Sequence, residues 1–175
     1  TDLRWELLTS LVAAGRAGDA AIDAELARDA TATGERAAAG ARAARPTPEA
    51  KAAAWAAVVE QDTLPNAVQT AVIAGFGRVH DRSLLAPYAE RYLDALEGVW
   101  AERTNEMAQN IVVGLFPTRL AGLAGEVGVD VGALTEQWLA EHPDASAALR
   151  RLVVENLDGV RRAERAQERD RSAGA

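Results

Sequence analysis

Cysteine is absent from the 175 residues, so disulfides and thiolate metal sites are excluded and the chain suits a reducing, cytoplasmic compartment. Histidine is nearly absent too. His80 and His142 stand apart, and neither belongs to a His-Glu-x-x-His pattern, so a histidine-rich zinc site has no material to form from. No run approaches the roughly 18–20 apolar residues of a membrane span, and no basic start followed by an apolar block reads as a signal peptide. Positive charge is in deficit: a net charge of −7 and an isoelectric point near 4.9 argue against the basic face that nucleic acid requires. No stretch sustains the alternation and β-branched enrichment of a strand.

What the chain has in abundance is alanine, which inflates the 49% hydrophobic share, favours helix and buries little area per residue. Close helix packing through small side chains follows. The length suits one domain with a real core. The apolar pattern Leu3, Leu7, Leu8, Leu11 is already running at Thr1, with no initiating methionine, which suggests a piece of something longer.

The periodicity predicts a first helix over 3–14, with Gly15 suited to the left-handed position after it. Asp19 is a candidate cap for a helix carrying Ile22 and Leu26, interrupted at Thr31, Thr33 and Gly34; residues 35–45 form a thin-faced third helix that stops at Pro46. Thr47 is a ready N-cap, Pro48 sits where no N–H is missed, and Ala52, Trp55 and Val59 share a face. Pro65 opens a helix with Val68, Val72 and Phe76 on its stripe. Further helices carry Tyr88, Tyr92, Leu96, Val99 and Trp100; then Met107, Ile111 and Leu115 behind a Thr104 cap; then Leu134 and Trp138. Asp144 is read as the cap of a long last helix with Leu149, Leu152, Val153, Leu157 and Val160 inward. The expectation is an all-α chain: a helical domain over 1–160 and a charged, fraying tail over 161–175. Antiparallel hairpins at 19–45, 47–77 and 84–116 give a spacing in the range of HEAT-like α-solenoids, with a globular bundle as the alternative.

Candidate chemistry is sparse. His80 beside Asp81 reads as a polar corner, and His142 before Pro143 as a helix-end residue. Gly75-Phe76-Gly77 lacks the strand and third glycine of a dinucleotide fingerprint, and Ser10, Ser83 and Ser146 lack a nucleophile elbow. Trp5, Trp55, Trp100 and Trp138 fall in different helices and read as core anchors. Arg150 and Arg151 are the candidate substrate-binding residues: they either balance nearby glutamates on a solvated face or turn a guanidinium fork toward a carboxylate in a groove.

The run Arg28-Asp29-Ala30-Thr31-Ala32-Thr33-Gly34-Glu35-Arg36 is followed by Ala43-Ala44-Arg45-Pro46-Thr47, Lys51, Trp55, Leu64-Pro65-Asn66 and Gly75-Phe76. Leu84-Leu85-Ala86-Pro87-Tyr88 and Gly114-Leu115-Phe116-Pro117 complete the series. This ordered punctuation, over roughly 1–160, resembles the C-terminal helical domain of the aminopeptidase N family of zinc metallopeptidases, in its actinobacterial form. The resemblance implies a HEAT-like stack that covers the active site of a zinc-dependent aminopeptidase and limits which peptides enter. Its partners would be the catalytic domain of the same polypeptide and the peptide substrate. The family's His-Glu-x-x-His helix and Gly-x-Met-Glu-Asn motif do not occur in this sequence, so the chain is expected to hold no catalytic residue and no metal; zinc would belong to the parent's catalytic domain. A free-standing helical-repeat scaffold that binds a protein partner is the competing reading.

Overall fold

Thr47 accepts a hydrogen bond from the Ala50 amide at 3.2 Å with Pro48 behind it, and Thr104 accepts one from Met107 at 3.4 Å. These side chains satisfy amides that a helix start leaves without partners, which is why the helices begin where they do. In the computed structural model, which describes residues 2–173, ten α-helices account for most of the chain and no strand occurs among the described residues. The protein is all-α. No helix among the described residues is long and apolar enough to cross a membrane. The chain forms two compact units, Thr1–Leu84 and Leu85–Ala175.

The first unit contains α1 (Asp2–Ala13), α2 (Asp19–Arg28), α3 (Ala32–Ala43), α4 (Pro48–Trp55) and α5 (Asn66–Phe76). Gly15, at φ +68°, closes α1 from the left-handed region. Trp5, Val12, Ile22, Ala38 and Ala41 make its core, with Leu8 and Leu26 packed against them. Helix α2 is capped by Gly18 rather than by Asp19, which lies in the first turn and forms an ion pair with Arg45. Thr31 does not interrupt a helix but caps α3, accepting from the Gly34 amide at 3.1 Å, so Thr33 and Gly34 are helical. Helix α4 passes into a π-helical turn, Ala56–Glu60. The buried face lies one residue round from the expected one: Lys51, Ala54, Trp55 and Val58 point inward at ordinary helical spacing, while Ala52 is exposed and Val59 half-buried. The most extensive packing in this unit is α3 on α5; α1 also packs on α3.

The second unit contains α6 (Tyr88–Glu102), α7 (Asn105–Gly114), α8 (Ala124–Val127), α9 (Val131–Glu141) and α10 (Ala147–Ala173). Tyr92, Leu96, Ile111, Val112, Leu149, Val153 and Val160 are buried, each such side chain contributing roughly 1.5–3 kcal/mol. Tyr92 meets Phe116 edge to face, with ring centroids 5.7 Å apart. The last helix starts after Ser146, whose carbonyl accepts the Arg150 amide at 2.9 Å; Asp144 stays in the preceding turn. Beyond Val160 the helix continues through Ala173. Arg161 bridges Glu136 and Glu164, which pushes its guanidinium further toward the charged form, and Gln167 donates to the Ala121 carbonyl at 3.3 Å. The final residues 174–175 of the charged tail lie outside the described residues. Here α7 packs on α10 and α6 on α9, so consecutive hairpins align helix for helix.

Candidate functional site

Lys51 is the single lysine among the 19 basic residues, and it is completely buried. Helix α4 holds it between the ends of two other helices. Its Nζ donates to the Ala43 carbonyl at 2.7 Å, in the last turn of α3, and lies 3.4 Å from the Gly75 carbonyl, in the last turn of α5. Carbonyls at helix C-termini lack intrahelical partners and carry the negative end of the dipole, so one ammonium answers two helix ends. The Phe76 ring lies 5.8 Å from Nζ and adds a cation–π contact. Burial pushes the lysine down to about 8 from its usual 10.5, so it remains an ammonium at neutral pH.

The close approach of α3 and α5 makes this convergence possible. A Cβ built on Gly75 would fall 2.0 Å from the Gly40 carbonyl oxygen, and one on Gly40 would fall 3.0 Å from that of Ala71. Backbone therefore packs on backbone at this crossing.

In the second unit the carbonyl of Val112 is the point of convergence. Tyr92 donates its hydroxyl to it at 2.6 Å and Asn156 its amide at 3.1 Å. Val112 lies among the last carbonyls of α7, which have no partner within the helix. Burial raises the Tyr92 phenol far above its ordinary value.

The two arginines singled out from the sequence are not brought together. Arg150 donates Nη1 to the carbonyls of Leu139 and His142, at 2.8 and 2.5 Å, and so closes the end of α9. Arg151 points to solvent, 3.8 Å from Glu155. His142 stacks on Trp138 with centroids 4.6 Å apart, and its Nε2 lies 3.6 Å from Glu97. His80 is exposed; its neighbour Asp81 accepts both the amide and the hydroxyl of Ser83, which hold its carboxyl below the usual range. Trp5, Trp55 and Trp138 are buried, and Trp100 is half-buried.

Each unit has an open cleft. In the first, about 300 Å³ lies over small residues of α3 and α5, including Gly40, Ala41 and Ala74, with Arg36 and Arg78 at its rim. In the second, about 320 Å³ lies between α6 and α9, bordered by Glu90, Asp94, Glu141, Trp138 and His142. Neither is lined by Arg150 or Arg151. Among the described residues no three His, Cys, Asp or Glu side chains are placed to hold a metal ion.

Sequence reasoning used Lys51 only as a marker of the family resemblance and did not foresee its burial between two helix ends. A lone lysine in an alanine-rich helix, within a chain that otherwise uses arginine throughout, was the available signal. Arginine's broad fork does not shift its charge state when buried and demands more room, whereas an ammonium is a compact donor.

A sequence profile of the ERAP1-like C-terminal domain family matches residues 1–162. The chain is 55% identical over 173 residues to an aminopeptidase N from Streptomyces lividans; the match covers 99% of this chain and 19% of that protein.

Proposed function

Because the chain belongs to the ERAP1-like C-terminal domain family, we propose that it is the substrate-enclosing and regulatory part of a larger zinc aminopeptidase that removes N-terminal residues from peptides. The observation that carries this reading is the alignment of nearly the whole chain with 19% of an aminopeptidase N. The metal ligands and the general base would then belong to a catalytic domain of the same polypeptide. This chain would contribute shape: aligned hairpins continuing into a HEAT-like superhelical wall that excludes water and restricts the length of peptide admitted. Of the two candidate arginines, Arg151 is the one whose guanidinium faces outward, 72% exposed, and a peptide carboxylate could reach it.

The test is kinetic. In the full polypeptide, kcat/KM is measured for an aminoacyl anilide and for a longer peptide, with and without this domain. Anilide turnover and zinc content verify that the shortened enzyme is folded. An enclosing role predicts a change of about tenfold or more in the ratio of the two values; an unchanged ratio refutes it. The isolated chain is expected to hydrolyse neither substrate, and chelator-sensitive hydrolysis by it would contradict the reading.

A further inference from the structure

The cleft between α6 and α9 in the second unit is lined by one face of each helix. Glu90 and Asp94 stand one turn apart on α6, Glu97 follows on the same side next to His142, and Glu141 borders the cleft from α9. Like charges at that spacing repel. No lysine or arginine lines the cleft to offset them. Arg91 lies over the Tyr88 ring instead, 5.5 Å from its centroid, and Arg150 is committed to the carbonyls of Leu139 and His142. Of the lining residues only His142 carries a base; its Nδ1 is 2.9 Å from the Trp138 carbonyl and its Nε2 3.6 Å from Glu97.

A row of carboxylates alone is an ordinary solvated face. What sets this one apart is Trp138, which lines the same cleft and is only 5% exposed, with His142 stacked on its ring. A buried indole N–H ordinarily finds an acceptor, as Trp5 does by giving its own to Asp29 at 2.8 Å. Among the described residues the Trp138 N–H has no acceptor, and it is not sealed from solvent, so it opens into the cleft. The cleft thus offers acceptors for a cation and, beside them, one donor held nearly out of water.

We propose that this cleft binds a lysine or arginine residue of a peptide chain, its cation held by Glu90 and Asp94 and its backbone carbonyl accepting the Trp138 N–H. The space, about 320 Å³, admits one such residue with its methylene stem along Leu93 and Leu134. A bare cation satisfies the carboxylates and leaves the indole unmet. A free amino acid brings a carboxylate in among three others and is repelled. The site goes beyond the enclosing role and does not depend on it, because neither zinc nor turnover enters the readout.

The experiment follows hydrogen exchange of α6 and α9 in the full-length polypeptide. The probe is Nα-acetylargininamide, which has no free amine for an aminopeptidase to act on. With a dissociation constant of about 1 mM, about 10 mM probe should slow exchange in both helices about tenfold. Replacing Glu90→Gln and Asp94→Asn together should remove most of that protection; both positions are exposed, so the packing is left intact. Trp138→Phe keeps a ring and loses the N–H. It should weaken the amide probe about fivefold and leave agmatine, which has the guanidinium and no carbonyl, unaffected. Free arginine should protect several-fold less than the amide. No protection, equal protection by uncharged acetylglycinamide, or full protection in the double variant overturns the proposal. So does an equal loss for both probes in Trp138→Phe, or free arginine binding as tightly as the amide.

Discussion

Gly75 lies so close beneath Gly40 that the space a methyl group would need is already held by the Gly40 carbonyl oxygen, 2.0 Å from the position of the missing Cβ. Gly75→Ala must therefore push α3 and α5 apart, and the obstacle is backbone, which cannot turn aside. The expected cost is about 3 kcal/mol, at the upper end of overpacking effects. Gly98→Ala is the counter-case: it is an exposed position within α6 with nothing within 4 Å of the new Cβ, so the better helix former should stabilise by roughly 0.5–1 kcal/mol. Urea unfolding of the two variants should move in opposite directions.

Lys51 should give the first unit an alkaline stability signature. Its folded value of about 8 lies below the usual 10.5, so between these values the unfolded chain binds more protons and stability rises with pH. The rise from pH 8 to pH 10 is about 2 kcal/mol. Lys51→Met removes the titration and should flatten the profile over that window; a variant that keeps the rise shows that another group is responsible. At neutral pH the substitution is expected to change stability less than its burial suggests. Relief of the ammonium's dehydration opposes the loss of its hydrogen bonds to Ala43 and Gly75.

Tyr92 and Asn156 should prove coupled. Either one alone leaves the Val112 carbonyl with a donor, so Tyr92→Phe and Asn156→Ala are each expected to cost about 1 kcal/mol. The double variant leaves that carbonyl buried without a partner and should cost about 1 kcal/mol more than the sum. A strictly additive cycle would show that the two donors act separately. Tyr92 also opposes Lys51 in sign: its raised value means that stability present below pH 10 is lost as pH rises further, and Tyr92→Phe should blunt that loss.

Arg150 and Arg151 are neighbours in sequence with different expected costs. Arg150→Ala removes donors from two carbonyls at the end of α9 and should destabilise by about 1–2 kcal/mol. Arg151→Ala, losing a long and exposed ion pair, should stay within roughly 0.5 kcal/mol. If Arg151 meets a peptide carboxylate, its variant raises KM for peptides and leaves the anilide unaffected; an equal effect on both removes it from substrate contact.

What could be read in the sequence was what depends on near neighbours. Thr47 and Thr104 cap what they were expected to cap, Gly15 adopts the left-handed turn, and Trp5 and Trp55 anchor cores, because caps, turns and stripes are set within one or two turns of chain. The errors came from geometry beyond that range. The expected face of Ala52, Trp55 and Val59 is displaced by one residue to Lys51, Trp55 and Val58, the side on which the ends of α3 and α5 arrive, and no local composition announces that arrival. Asp19 and Asp144 were good caps in type and were passed over by one and two residues, within the usual ambiguity of helix starts. The burial of Lys51 depends on α5 arriving beside α3, and its partner Gly75 is 24 residues away. Arg150 was legible as a donor but not as a donor to carbonyls 8 and 11 residues behind it.

The position of Lys51 also carries an implication for the order of folding. Its ammonium gains nothing from shedding water until the ends of both α3 and α5 are beside it, and the α5 end is the last of the three to be defined along the chain. The expectation is that the lysine latches the crossing after glycine contact has formed, on the native side of the barrier. Changes at position 51 should appear mainly in the unfolding limb of a chevron and changes at Gly75 in both limbs, which makes the lysine a determinant of how long the folded unit lasts rather than of how quickly it forms.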